Sequence, residues 1–176
     1  MAVTVWAVIK HNRKPVGLAR RSDGSVVKPF LFLDVDGVVN CLGGREVEHV
    51  ELDGTPISKP GGLDRRLDRL ERYFRIVWAT TWGDDARAIY PYKRWPVLGW
   101  DGTQGKLPAI IEFAGRSGWV WVDDNALQEA QSQIGEYILE QARSPWRIFE
   151  PDGRRGLDDE LADQLVNWAK ELRESG

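Results

Sequence analysis

A chain of 176 residues with 42% apolar content is long enough to bury one proper core, and its single cysteine excludes an internal disulfide. A net charge of −3 and a pI of about 5.5 leave no global basic field to recruit nucleic acid, so a polyanion partner would need a local patch.

In chain order, Val3 to Ile9 is too short and too poorly flanked for a secretory signal, and no later stretch approaches the ~20 apolar residues of a membrane span. The expected location is cytoplasmic. Residues 4 to 9 and 16 to 20 predict a hairpin across His11-Asn12-Arg13-Lys14, with another turn at Asp23-Gly24, and residues 1–29 read as an N-terminal extension. Phe30-Leu31-Phe32-Leu33 is too short for most helices but suits a strand buried on both faces, as in a parallel sheet covered by helices. It closes on Asp34 and Asp36. A hairpin over Glu46 to Ile57, turned at Asp53-Gly54, makes the segment at about 41–60 a flap rather than a domain.

Leu63, Leu67, Leu70 and Phe74 share one helix face, and the interleaved Arg65, Arg66, Arg69 and Arg72 read as a solvated one. Arg75-Ile76-Val77-Trp78-Ala79 is a second apolar run, closing on Thr80 and Thr81. The stretch from there to Lys106 is too short for a large cap and holds Trp82, Tyr90, Tyr92, Trp95 and Trp100 near the carboxyl end of the sheet. Lys106 precedes a helical pattern from Leu107 to Gly115. Trp119-Val120-Trp121-Val122 is a third apolar run and closes on Asp123 and Asp124, followed by a helix over Ala126 to Arg143. A strand at Arg147-Ile148-Phe149 and an amphipathic helix from Leu157 to Leu172 complete the pattern. The expected fold class is α/β: a three-layer, Rossmann-like parallel sheet with helices on both faces, a small β-hairpin flap and no large cap domain.

In open α/β sheets the carboxyl ends of the strands form the ligand crevice, so two strands that each end in acid aim their charges at one point. Four converging carboxylates repel unless a hard divalent ion with oxygen ligands offsets them, and Mg²⁺ is the natural candidate. The plainer readings are structural. Asp123-Asp124 also suits a helix N-cap with a first-turn acid, Lys106 suits a solvated lysine, and Cys41 and most of the tryptophans suit packing.

The order Asp34-Val35-Asp36-Gly37-Val38-Val39-Asn40, then Thr80, then Lys106, then Val122-Asp123-Asp124 resembles the four motifs of the haloacid dehalogenase superfamily, whose members are mostly phosphatases. The resemblance covers roughly residues 30 to 173 and makes 30–176 a phosphatase domain of the capless type. It implies a metal held by Asp34, by the main-chain carbonyl of Asp36 and by an acid of the last motif. Asp124 is the preferred acid, with Asp123 in a supporting hydrogen bond, and the reverse assignment stays open.

Phosphate monoesters resist attack because their oxygens are anionic, so catalysis is mostly placement and charge neutralisation. Asp34 is then the nucleophile that forms an aspartyl-phosphate, and Asp36 the acid for the leaving oxygen and afterwards the base for water. Thr80 donates to a phosphoryl oxygen, with Thr81 the second choice, and Lys106 offsets negative charge. A turn at Gly37 brings the two carboxyl groups to one substrate, and Trp82 is a candidate substrate contact at the rim.

The expected activity is a Mg²⁺-dependent phosphomonoesterase. Without a large cap, the expected substrate is bulky: a nucleic-acid end or a phosphoprotein. The alternatives are a noncatalytic phosphate-binding or regulatory module on the same fold, and a small-metabolite or nucleotide phosphatase covered by an oligomer partner. A signalling receiver domain would put its acidic pair early, whereas here the pair comes last.

Overall fold

The computed structural model describes residues 7–10, 20, 22–25, 27–44 and 47–175. A five-stranded sheet has the order β1-β7-β6-β2-β5, built from Ala7–Lys10 (β1), Phe30–Leu33 (β2), Arg75–Trp78 (β5), Trp119–Val122 (β6) and Trp146–Glu150 (β7). Strands β5, β2, β6 and β7 run parallel, and β1 adds an antiparallel edge on β7. The turn at Asp23-Gly24 is present, with Ser25 N–H donating to Asp23 Oδ1 at 2.8 Å. Of the hairpin expected over residues 4 to 9 and 16 to 20, residues 4–6 and 16–19 lie outside the described residues.

A separate antiparallel hairpin pairs Val47–Leu52 (β3) with Thr55–Pro60 (β4). Its tip requires Asp53 and Gly54 at φ 49° and 83°, left-handed conformations that Asp tolerates better than most side chains and Gly adopts freely.

Alternation along each parallel strand divides the core between two faces. Leu31, Leu33, Ile76, Trp78, Val120, Val122 and Phe149 point to one face, where they meet Leu63–Glu71 (α1) and Asp159–Glu174 (α6). Phe32, Val77, Trp119, Trp121 and Ile148 point to the other and meet the helices Leu107–Ala114 (α3), Ala126–Ala130 (α4) and Gln133–Gln141 (α5). Complete burial explains why the strands read as unbroken apolar runs. Each large side chain so buried contributes about 1.5–3 kcal/mol. A short helix, Ala86–Ile89 (α2), follows a 3-10 turn at Gly83–Asp85.

Two expectations change. The arginines of α1 are not simply solvated: Arg66 is buried and donates to Asp159 Oδ1 and to the Gly61 carbonyl oxygen, while Arg69 pairs with Asp163. Charge complementarity with α6, which lies alongside so that residues 65, 66 and 69 meet 159 and 163 in the same order, is invisible to a single-helix reading and recruits them. The single helix expected over Ala126 to Arg143 is also two. Ser132 leaves the helical conformation at φ −66°, ψ 155° and caps α5 by accepting from Gly135 N–H at 3.0 Å.

Gly135 lets the two short helices touch, since a Cβ there would lie 2.0 Å from the Glu129 carbonyl oxygen. Alanine is intrinsically the better helix residue, yet Gly135→Ala is expected to destabilise the protein by about 1–3 kcal/mol because backbone must move. Chemical denaturation of the variant checks this, and an equal or higher midpoint would contradict the packing account.

Candidate metal and catalytic site

The carboxyl ends of β2, β6 and β5 deliver Asp34, Asp123 and Thr80 to one place, as the crevice rule for open parallel sheets requires. Neighbouring strands continue their ladder into the loops: Asp34 N–H donates to the Val122 carbonyl at 3.0 Å, and Asp123 N–H to that of Phe149 at 3.2 Å. Those bonds fix the main chain from which both side chains spring, so the two acids start from neighbouring positions.

Lys106 joins them. Its Nζ donates to Asp34 Oδ2 at 2.8 Å and to Asp123 Oδ2 at 2.6 Å, and all three residues are buried. The lysine is held by its own backbone, because Glu129 of α4 accepts from Lys106 N–H at 3.1 Å and from Leu107 N–H at 2.6 Å. Glu129 thus serves as a remote cap for α3, satisfying amides that the helix cannot pair itself. Gly105 makes room for it, at φ 77° and with the Glu129 carboxylate where a Cβ would stand.

One carboxylate oxygen from each of Asp34, Asp123 and Asp124 lies within 4.8 Å of the others. Among the described residues this triad could hold a metal ion, and its all-oxygen donors suit a hard cation. The backbone opens the space. Gly37 sits at φ 69°, and a Cβ there would be 2.2 Å from Asp124 Oδ2; one at Gly153 would be 3.2 Å from the same atom. Gly153 also ties the loop after β7 to the first motif through its carbonyl, which accepts from Leu42 N–H at 2.8 Å.

Within the acidic pair the two residues differ. Both Asp123 oxygens are engaged, Oδ2 by Lys106 and Oδ1 by Asn125 N–H at 2.8 Å. Asp124 is half-buried, accepts from the Asn125 side chain through Oδ1, and turns Oδ2 toward the two glycines.

Burial pushes the Asp34 carboxyl up to about 7, with the Asp123 charge adding to the rise and Lys106 and hydrogen bonds from Lys106 and Thr80 opposing it. Asp124 is also raised, by burial and then by Asp123. Burial would lower the Lys106 ammonium, but Asp34 and Asp123 outweigh it and its pKa rises, so it stays charged.

Thr80 is buried beside Asp34 and also accepts from Trp82 N–H at 3.3 Å. Asp36 stands apart from the triad. Its Oδ1 accepts from the Asn40 amide at 2.9 Å and its Oδ2 from the Trp82 indole N–H at 2.9 Å. Thr81 is exposed and lines an open cleft of about 620 Å³ with Thr80, Arg87, Leu98 and Trp100, next to the lysine. Lys106 Nζ lies 6.0 Å from the Trp100 ring centre.

The aromatic group between Thr80 and Lys106 is therefore divided. Trp82 and Trp100 reach the site, Tyr90 and Trp95 are core, and Tyr92 is exposed. Trp78, Trp119, Trp121 and Trp168 pack as expected. Cys41 is buried with its thiol pushed up to about 11 by desolvation, which fits packing and not nucleophilic chemistry. The sequence reading missed the roles of Asn40, Glu129 and Gly153; only Asn40, at the end of the first motif, stood where a signal could be sought.

No protein-family model, curated protein or solved structure matches the chain. Among the described residues no helix is long and apolar enough to cross a membrane.

The raised Asp34 pKa sets a sign for stability. The folded protein holds a proton on Asp34 that the unfolded chain has already lost, so this contribution is complete below about 3.8 and disappears as pH rises through about 7. With chelator present, the stability of wild type relative to Asp34→Asn is expected to fall over that window by up to about 4 kcal/mol. A divalent cation should restore it at the upper end. Denaturant melts across pH check this, and a flat difference would contradict the buried charge account.

Proposed function

We propose that the chain is a Mg²⁺-dependent phosphomonoesterase of the haloacid dehalogenase type, working through an aspartyl-phosphate on Asp34. The observation that carries this reading is the Lys106 ammonium bridging Asp34 and Asp123 beside Asp124 and Thr80. Four segments distant in sequence supply a nucleophile, a cation, a hydroxyl and a metal-ligand set to one strand-end crevice. A purely structural origin for the motifs would not require that convergence.

Asp34 and Asp124 would hold the ion, which supplies charge neutralisation for the transferring phosphoryl group. The oxygen of Asp124 turned toward Gly37 favours it as ligand, and the two engaged oxygens of Asp123 favour the supporting role. Asp34 attacks phosphorus while Asp36 gives its proton to the departing oxygen. Asp36 then removes a proton from water, which attacks the aspartyl-phosphate and releases inorganic phosphate and free Asp34. Lys106 and Thr80 meet charge that builds on the phosphoryl oxygens.

A bulky substrate is supported by the open cleft beside Thr80, where the Trp100 ring and the Arg87 guanidinium offer a stacking surface and a cation. The hairpin β3–β4 is too small to enclose a ligand. A polynucleotide end or a phosphoprotein fits such an open site.

Turnover of an aryl phosphate is expected to require Mg²⁺, to stop with chelator, and to fall about 10³-fold or more in Asp34→Asn. Oligonucleotides phosphorylated at 3′ or 5′ ends, phosphopeptides and nucleotides, assayed in parallel, define the substrate. Absence of Mg²⁺-dependent turnover on all of them would leave a noncatalytic module as the better reading.

A further inference from the structure

Resting on the phosphatase reading, we propose that Trp82 and Asn40 are positioning residues that hold the Asp36 carboxyl group for proton transfer to the leaving oxygen. Asp36 has neither of the anchors that fix Asp34, since Lys106 donates to Asp34 and Asp123 and the acidic triad omits Asp36. Its orientation comes instead from two side-chain donors, the Trp82 indole N–H on Oδ2 and the Asn40 amide on Oδ1, each at 2.9 Å.

Both donors are themselves fixed. Asn40 Oδ1 accepts from Ser58 N–H of β4 at 2.9 Å, and the adjacent Cys41 N–H donates to the Ser58 carbonyl at 2.7 Å, so the amide is clamped between the first motif and the hairpin. Trp82 packs against the α1–α6 side of the core, and its backbone N–H donates to Thr80 Oγ1. The residue that orients the proton carrier is thereby tied to the hydroxyl that meets the phosphoryl group.

A carboxyl group offers about four acceptor positions, so two N–H donors leave one free on each oxygen for the leaving group or for water. In the first step the O–P bond to the leaving group breaks, Asp34 forms its bond to phosphorus, and the Asp36 proton goes to the departing oxygen. The carboxyl torsion of an aspartate is soft, so without the indole N–H the group would rotate away from that geometry.

The consequence depends on the leaving group. A nitrophenolate departs without help, whereas an alkoxide needs the proton. We expect Trp82→Phe, which keeps the ring and deletes the donor, to lose about tenfold more kcat/KM on an alkyl phosphate than on nitrophenyl phosphate, with Asp36→Asn losing more in the same direction. Asn40→Ala removes the other donor and gives the same selective loss if Trp82→Phe does not fold, as judged by circular dichroism. Equal losses on both esters, or none, in a folded variant would overturn the positioning role while the phosphatase reading stands. A wild type that cleaves neither ester would overturn both.

Discussion

One ammonium group between two buried carboxylates organises this molecule. Lys106 contacts Asp34 and Asp123, which end adjacent parallel strands, and without a cation at that point the two acids would face each other in a poorly hydrated crevice. The arrangement still leaves the Asp34 carboxyl high, at about 7, because burial and the Asp123 charge exceed what one lysine offsets. An incompletely neutralised cluster of oxygens beside two glycines is what a divalent cation would complete.

The fold serves this cluster by rigidity. Strands covered on both faces hold the backbone at their ends, and the ladder bonds that run past the strand ends into Asp34 and Asp123 extend the sheet to the acidic cluster. The supporting residues come from other elements. Glu129 reaches from α4 to fix the backbone of Lys106, Gly153 from the loop after β7 packs beside Asp124, and Ser58 from the hairpin holds Asn40. The hairpin is therefore joined to the site by hydrogen bonds and is not merely a flap above it.

Much of this was legible in the sequence because burial on both faces writes itself as uninterrupted apolar runs. Phe30–Leu33, Arg75–Trp78 and Trp119–Val122 announced both the strands and, at their ends, the polar groups that the fold brings together. What could not be read depends on pairs of elements. Arg66 looks like any solvated arginine until α6 brings Asp159 to it, and the break at Ser132 is invisible until Gly135 is seen against the Glu129 carbonyl. The Trp82 indole was expected at a substrate surface, yet its N–H is turned to Asp36; nothing in the spacing of two residues so far apart encodes that bond.

The central claim is that Asp34 accepts phosphorus, and the direct measurement is peptide mass mapping after acid quench of the protein mixed with a phosphate ester and Mg²⁺. The account predicts a phosphoryl group on the peptide containing Asp34, absent when chelator replaces the metal. Turnover with no such adduct at any quench time, or an adduct confined to another residue, would contradict it.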